Sequence, residues 1–148
     1  MNMVAQQRQH WVSLAQGMQQ DIQGYQSLRD LLHEQFHAAL RHDAAAMEQV
    51  ALCISAQAEQ LAQSTQVRRT HVSTLLPGAS QLSMRAAFAL LKPPLQQQMQ
   101  ALWERLETLV QECKAMNVRN CGLIMEQAEL MHQVIAGGAP AQEIYGPR

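Results

Sequence analysis

The sequence predicts an all-α protein, an elongated antiparallel bundle of three long helices plus one short helix. Apolar residues recur every three or four positions through most of the 148 residues, the spacing that places them on one face of a helix. Ala, Leu, Gln, Glu and Met dominate the composition, and most of these residue types favour helices. No segment alternates apolar and polar residues as a half-buried strand does.

The first long helix is predicted from about residue 6 to residue 41. Apolar residues spaced seven apart mark its buried face: Trp11, Met18, Tyr25, Leu32 and Ala39. At about 1.5 Å per residue, such a helix extends for about 54 Å. The segment RHDAAAM follows, and its Asp43 is a residue type that caps the N-terminus of a helix. We therefore expect the chain to turn here into a second helix.

The second long helix carries apolar residues at helical spacing between residues 47 and 75. It is predicted to end at the segment LLPGAS, because Pro77-Gly78 is a strong turn signal. A short amphipathic helix, SMRAAFALL, then follows at about residues 83–91.

The third long helix has the most regular pattern in the chain. Pro93-Pro94 suits the first turn of a helix. Two sets of residues spaced seven apart then form a seam of the coiled-coil type: Leu95, Leu102, Leu109, Met116, Leu123 and Leu130, interleaved with Met99, Leu106, Cys113, Asn120, Gln127 and Val134. Gly137-Gly138 and Pro140 stop this helix. We therefore predict a single helical bundle domain at residues 1–137 and a flexible C-terminal tail at residues 138–148.

Polar residues inside the predicted helices are interpreted as structural. Asn120 and Gln127 interrupt the apolar seam, and a polar seam residue fixes the register of packed helices. The basic doublet Arg68-Arg69 is isolated, which is typical of a solvated helix face.

Charge and cysteine usage exclude several classes of protein. The formal net charge is -1 and no block of like charges occurs, whereas binding to nucleic acid needs a concentrated basic surface. The three cysteines are far apart, which suits a reducing compartment. The N-terminal segment MNMVAQQRQHW is polar, and no stretch approaches the roughly 18 apolar residues of a membrane span. We expect a cytoplasmic protein that does not insert into membranes.

Residues 31–40, LLHEQFHAAL, contain a match to the H-E-x-x-H motif of zinc proteases. His33 and His37 lie four apart on one helix face and can bind zinc, and Glu34 can act as a general base. A metzincin protease has Gly and His at the positions where this chain has Leu40 and Asp43. Zinc hydrolysis therefore remains only an alternative hypothesis.

The interpretation favoured for this motif is a structural one. No particular glutamate is marked as a third zinc ligand, although Glu48 and Glu59 are candidates, and no strand is predicted that could align a substrate. We expect the two histidines to be exposed or half-buried, with Phe36 and Leu40 facing the helical core. The sequence predicts no metal, no cofactor and no catalytic residue.

The last long helix carries more apolar residues than one seam requires. A second stripe runs beside the first, with Met125 at its edge: Cys121, Ile124, Ala128, Met131 and Ile135. Such a wide face packs against two other helices, or else stays open as a groove for a partner helix. On the second alternative, we predict that five residues line or border a client site: Leu123, Ile124, Met131, Val134 and Ile135.

Three segments, in this order, resemble the FlgN-type flagellar export chaperones. The first is LLHEQFHAALRHDAAAMEQV, in which two leucines and Glu34 precede an Asp and a second helix. The second is NVRNCGLI, where Asn117 and Asn120 are followed by Gly, Leu and Ile. The third is EIYGPR, which contains Tyr145-Gly146. The resemblance extends over nearly the whole chain.

The resemblance implies a cytoplasmic chaperone that binds hook-associated proteins, the subunits of the hook–filament junction. Such a chaperone covers the terminal helices of its client, prevents premature assembly and delivers the client to the export gate and ATPase complex. It also implies that Tyr145 contacts the export gate. A coiled-coil adaptor unrelated to flagella is the main alternative, and the sequence leaves a homodimer open.

Overall fold

The computed structural model describes residues 3–137 and contains four helices in this range. They are α1 (Met3–Leu40), α2 (Ala44–Leu75), α3 (Met84–Phe88) and α4 (Pro93–Gly137). The described residues form no strand, so the predicted all-α class with three long helices and one short helix is confirmed. Between residues 3 and 137, no helix is both long enough and apolar enough to cross a membrane.

A tight turn joins α1 to α2 and reverses the chain direction. His42 adopts a left-handed conformation, with φ of 56°, and the amide of Asp43 donates to the carbonyl of Ala38 at 3.0 Å. This pattern is a Schellman motif, which satisfies the last carbonyl groups of a helix. The carboxylate of Asp43 then accepts the amide of Ala46 at 3.0 Å. The predicted N-cap of the second helix is thereby confirmed.

The connection from α2 to α4 contains α3. Gly78 has φ of 79°, a conformation that glycine adopts without strain. The hydroxyl of Ser83 caps α3 by accepting the amide of Ala86 at 3.3 Å. The side-chain amide of Gln96 donates to the carbonyl of Phe88 at 2.9 Å, which ties the first turn of α4 to the end of α3.

α1 is the central helix of the bundle. It packs against both α2 and α4, whereas α2 and α4 have no Cα pair within 8 Å over the described residues. α3 contacts both of them and fills part of the gap. A hydrophobic core cluster lies around α3 and consists of Leu14, Met18, Ile22, Val72, Leu75, Met84, Ala87, Phe88, Met99, Leu106 and Leu109.

An ion pair between α1 and α2 lies next to this core. Arg68 Nη1 donates to Asp21 Oδ2 at 2.5 Å, and the two side chains are only 16% and 5% exposed. The Arg68 guanidinium also lies 5.4 Å from the ring centroid of Trp103 on α4. The expectation that Arg68 belongs to a solvated face is wrong, because its charge compensates a buried carboxylate. Arg69 is exposed, as expected.

Two histidines form a second polar contact between α1 and α2. The Nδ1 atoms of His10 and His71 are 2.8 Å apart, so one ring must donate a proton and the other must accept it. Burial lowers the pKa of His71, and the neighbouring His10 lowers this pKa further. The folded state therefore disfavours the doubly charged pair.

We expect the protein to lose stability as the pH falls below about 6.5, the ordinary pKa of histidine in an unfolded chain. Below this value the unfolded chain binds a proton at His71 that the folded chain does not, so unfolding becomes easier until the lowered folded pKa is passed. Urea unfolding at several pH values measures the effect. His71→Gln should reduce the loss on acidification, whereas the exposed His132→Gln should not. Identical pH profiles for wild type and His71→Gln would contradict this account.

Candidate partner-binding surface on α4

Asn120 fixes the alignment of α4 against α1. It is completely buried, and its Nδ2 donates to the carbonyl of Leu32 at 2.7 Å and to Oε1 of Gln35 at 2.9 Å. Arg119 donates two hydrogen bonds to Oδ1 of Asn120, and its guanidinium lies 3.8 Å from the ring centroid of Phe36. Every polar group of the Asn120 amide thus has a partner, as expected for a buried polar residue that sets register.

Beyond Gln127, α4 extends past the end of α1. Its Nε2 donates to the carbonyl of Ala39 at 2.8 Å, next to the last residue of α1, Leu40. From here α4 continues for about 15 Å to residue 137. All residues from 128 to 137 are exposed. We refer to residues 128–137 as the α4 arm.

The five residues predicted to form a client site lie at the base of the α4 arm and along it. Leu123 and Ile124 at its base are half-buried. Met131, Val134 and Ile135 are 58%, 67% and 69% exposed. The second apolar stripe therefore stays open at its C-terminal end, over the described residues. Large apolar side chains exposed together on one helix face indicate an interaction surface.

Two further apolar residues belong to this surface. Leu130 was predicted to lie in the packed seam, yet it is 60% exposed, and Met125, predicted at the edge of the second stripe, is 69% exposed. Leu130 is exposed because α1 ends at Leu40, so no helix within residues 3–137 covers the last turns of α4. The helix lengths indicate that the end of α4 is uncovered, since α4 has 45 residues and α1 has 38.

Comparison with known protein families identifies the family to which this helical chain belongs. The family described as FlgN protein matches residues 5–148. The chain belongs to the FlgN family. Membership makes it a flagellar export chaperone, which binds flagellar proteins. No curated protein and no solved structure matches the chain.

In this FlgN-family chaperone, the H-E-x-x-H residues lie on the outside of the bundle. His33, Glu34 and His37 are all exposed and line an open depression between α1 and α2. Within the described part of the chain, no three side chains among His, Cys, Asp and Glu are placed to hold a metal ion together. The expectation that both histidines are exposed or half-buried is confirmed.

The apolar residues of the same segment differ in their surroundings. Phe36 is half-buried, and the guanidinium of Arg119 covers its ring. Leu40 is 50% exposed, so the expectation that it faces the core is wrong. Leu40 is the last residue of α1, where the chain already turns away from the bundle axis.

Tyr145, the residue with an expected role at the export gate, lies outside the described residues. The predicted tail at residues 138–148 lies outside them as well. The structure therefore adds nothing to these two predictions.

Proposed function

We propose that this FlgN-family chaperone acts in the cytoplasm and binds the terminal helices of hook-associated proteins. It keeps these junction subunits from assembling early and delivers them to the flagellar export gate and its ATPase complex. The observation that carries the proposal is the open apolar face of the α4 arm, with Met131, Val134 and Ile135 exposed. The function needs no catalytic residue, metal or cofactor.

The physical basis of the proposal is the burial of apolar surface. An amphipathic helix of an unassembled subunit exposes one apolar side, and a helix with a matching apolar stripe can cover it. Each Å² of apolar surface removed from water contributes about 25 cal/mol before the cost of ordering the client helix is subtracted. The limited length of the α4 arm favours moderate affinity, which suits a client that must be released for export.

A binding experiment with purified components tests the proposal. The immobilised chaperone is mixed with terminal segments of hook-associated proteins and, as a control, with central segments of the same proteins. We expect only the terminal segments to be retained. If none is retained and other helical proteins are, hook-associated proteins are not the clients of this chaperone.

The proposal includes a second contact, between Tyr145 and the export gate, which the family resemblance implies. We expect Tyr145→Ala to reduce export of hook-associated proteins while leaving their binding to the chaperone unchanged. Tyr145→Phe keeps the aromatic ring and serves as the matched control. Secretion into the culture medium and binding to purified chaperone are the two measurements. Normal secretion with Tyr145→Ala would remove this residue from the proposal.

A further inference from the structure

The gap between α2 and α4 forms a slot along the bundle. α1 provides its floor, because α1 packs against both helices while the backbones of α2 and α4 stay apart over the described residues. Near α3, the side chain of Arg68 reaches across the gap to the ring of Trp103. At the middle of the bundle the slot contains an open, mainly apolar cavity of about 220 Å³. Its lining includes Leu28 and Leu32 on α1, Ile54 and Ala58 on α2, and Val110 and Cys113 on α4. We call this gap the α2–α4 slot.

α3 shows what kind of segment fits into the α2–α4 slot. This short helix lies between α2 and α4 at one end of the slot. Its residues Met84, Ala87 and Phe88 are buried there, and the Phe88 ring lies 6.3 Å from the ring of Trp11 on α1. The slot thus holds a helix that offers one apolar face. Beyond α3 the same position, that of a fourth helix, is left open over the described residues.

The α2 wall of the open part is apolar and has small side chains. Met47, Ala51, Ile54, Ala58 and Ala62 recur at helical spacing on one face of α2, and none carries a charge. Alanines on such a face allow another helix to approach closely. From Met47 to the end of this face near residue 65, α2 rises by about 27 Å, which matches about five turns of a helix.

The α4 wall connects the slot to the α4 arm. Val110 and Asn117 line the cavity, and Ile124 and Ile135 continue the same helix face at intervals of seven and eleven residues. Apart from the polar Asn117, these residues are apolar, so the slot and the arm share one largely apolar face of α4. A helix bound on the arm can be followed by another helical segment of the same client in the slot.

The charge beside the cavity indicates which charge a partner helix should carry. Among the described residues, Lys114 is the one charged residue that lines the cavity, and no carboxylate of this part of the chain lines it. Lys114 forms no ion pair within residues 3–137. A partner helix with an acidic residue beside its apolar face would place a carboxylate at this ammonium group.

We propose that the α2–α4 slot binds an amphipathic helix of the client. This helix lies end to end with α3 and places a carboxylate beside Lys114. The inference rests on the proposed function and extends it, because the client then contacts the middle of the rod as well as the α4 arm. Such a client segment has about five helical turns, with one apolar face and an acidic flank.

A pair of tryptophan variants on α2 tests the slot. Ala58 and Ala56 are both exposed, but only Ala58 lines the cavity. Ala58→Trp should fill the slot and weaken binding of a terminal segment of a hook-associated protein at least about tenfold. Ala56→Trp should bind as wild type does. Circular dichroism and urea unfolding show that both variants keep the helical fold.

The charge reversal Lys114→Glu provides a second test that does not alter the shape of the slot. We expect weaker binding, with a larger deficit at low salt than at high salt, because salt screens the interaction of charges at the surface. Equal affinities of wild type, Ala58→Trp and Lys114→Glu would overturn the slot proposal and leave binding on the α4 arm intact. Failure of the wild-type chaperone to bind any terminal segment would instead overturn the proposed function.

A labelling experiment shows whether another segment already fills the slot. In a chain with Cys53→Ser and Cys121→Ser, Ala58→Cys should react rapidly with iodoacetamide when free and slowly once the client segment is bound. Ala56→Cys should react rapidly in both cases. Slow reaction of Ala58→Cys in the free chaperone would mean that its own chain or a second copy occupies the slot, which would contradict the proposal.

Discussion

Replacing Arg68 with Ala should lower the free energy of unfolding by about 3–5 kcal/mol. The substitution leaves Asp21, whose side chain is 5% exposed, as a buried carboxylate without its positive partner. It also removes the guanidinium that lies against the ring of Trp103. The loss should appear as a lower midpoint of urea unfolding with an unchanged slope, since the surface exposed on unfolding stays the same.

Two control variants separate this effect from the general effect of removing an arginine. Arg85 and Glu107 form an ion pair whose side chains are 54% and 45% exposed, so Arg85→Ala should cost no more than about 1 kcal/mol. The double variant Asp21→Leu with Arg68→Met removes both charges and should be more stable than Arg68→Ala alone. If Arg68→Ala and Arg85→Ala lower the free energy of unfolding by the same amount, the buried Arg68–Asp21 pair contributes no more to stability than an exposed ion pair does.

The sequence predicted the helices well because their boundaries are local features. Asp43 caps α2 through its own side chain and Pro77-Gly78 ends the segment after α2, so neighbouring residues determine both positions. The Arg68–Asp21 pair was missed for the opposite reason. Its members are 47 positions apart, and periodicity places each residue on a helix face without showing which residue of another helix it meets.

The exposure of Leu130 on the candidate surface was missed for the same reason. Leu130 continues the seven-residue spacing of the α4 seam, and the spacing alone predicts that it is packed. Its 60% exposure follows from the end of α1 at Leu40, which is a property of a different helix. The gap between α2 and α4 was not predicted either, because the apolar stripes do not show which pairs of helices stay apart.

Placing a charge on the apolar face of the α4 arm should weaken client binding about 10- to 100-fold, since a buried Met or Ile side chain contributes about 1.5–3 kcal/mol. Met131→Asp and Ile135→Asp are the variants of choice, because both residues are more than half exposed. In the described part of the chain neither residue is packed into the bundle core, so the fold should tolerate both changes. Their circular dichroism and unfolding midpoints should match the wild type.

Gln133→Asp is the matched control for these variants. Gln133 is exposed on the same arm, but it lies on the opposite side of the helix from Met131 and Ile135. It introduces the same charge near the same helix terminus, so any cost from the helix dipole is shared. A loss of binding with Gln133→Asp as large as with Met131→Asp would point to a general charge effect.

The central claim is that the α4 arm of this FlgN-family chaperone holds the terminal helix of a hook-associated protein. Titration of a purified terminal segment against wild type, Met131→Asp and Gln133→Asp tests it most directly. We predict saturable binding by wild type and Gln133→Asp, and binding at least about tenfold weaker by Met131→Asp. Equal affinities for all three folded proteins would contradict the claim.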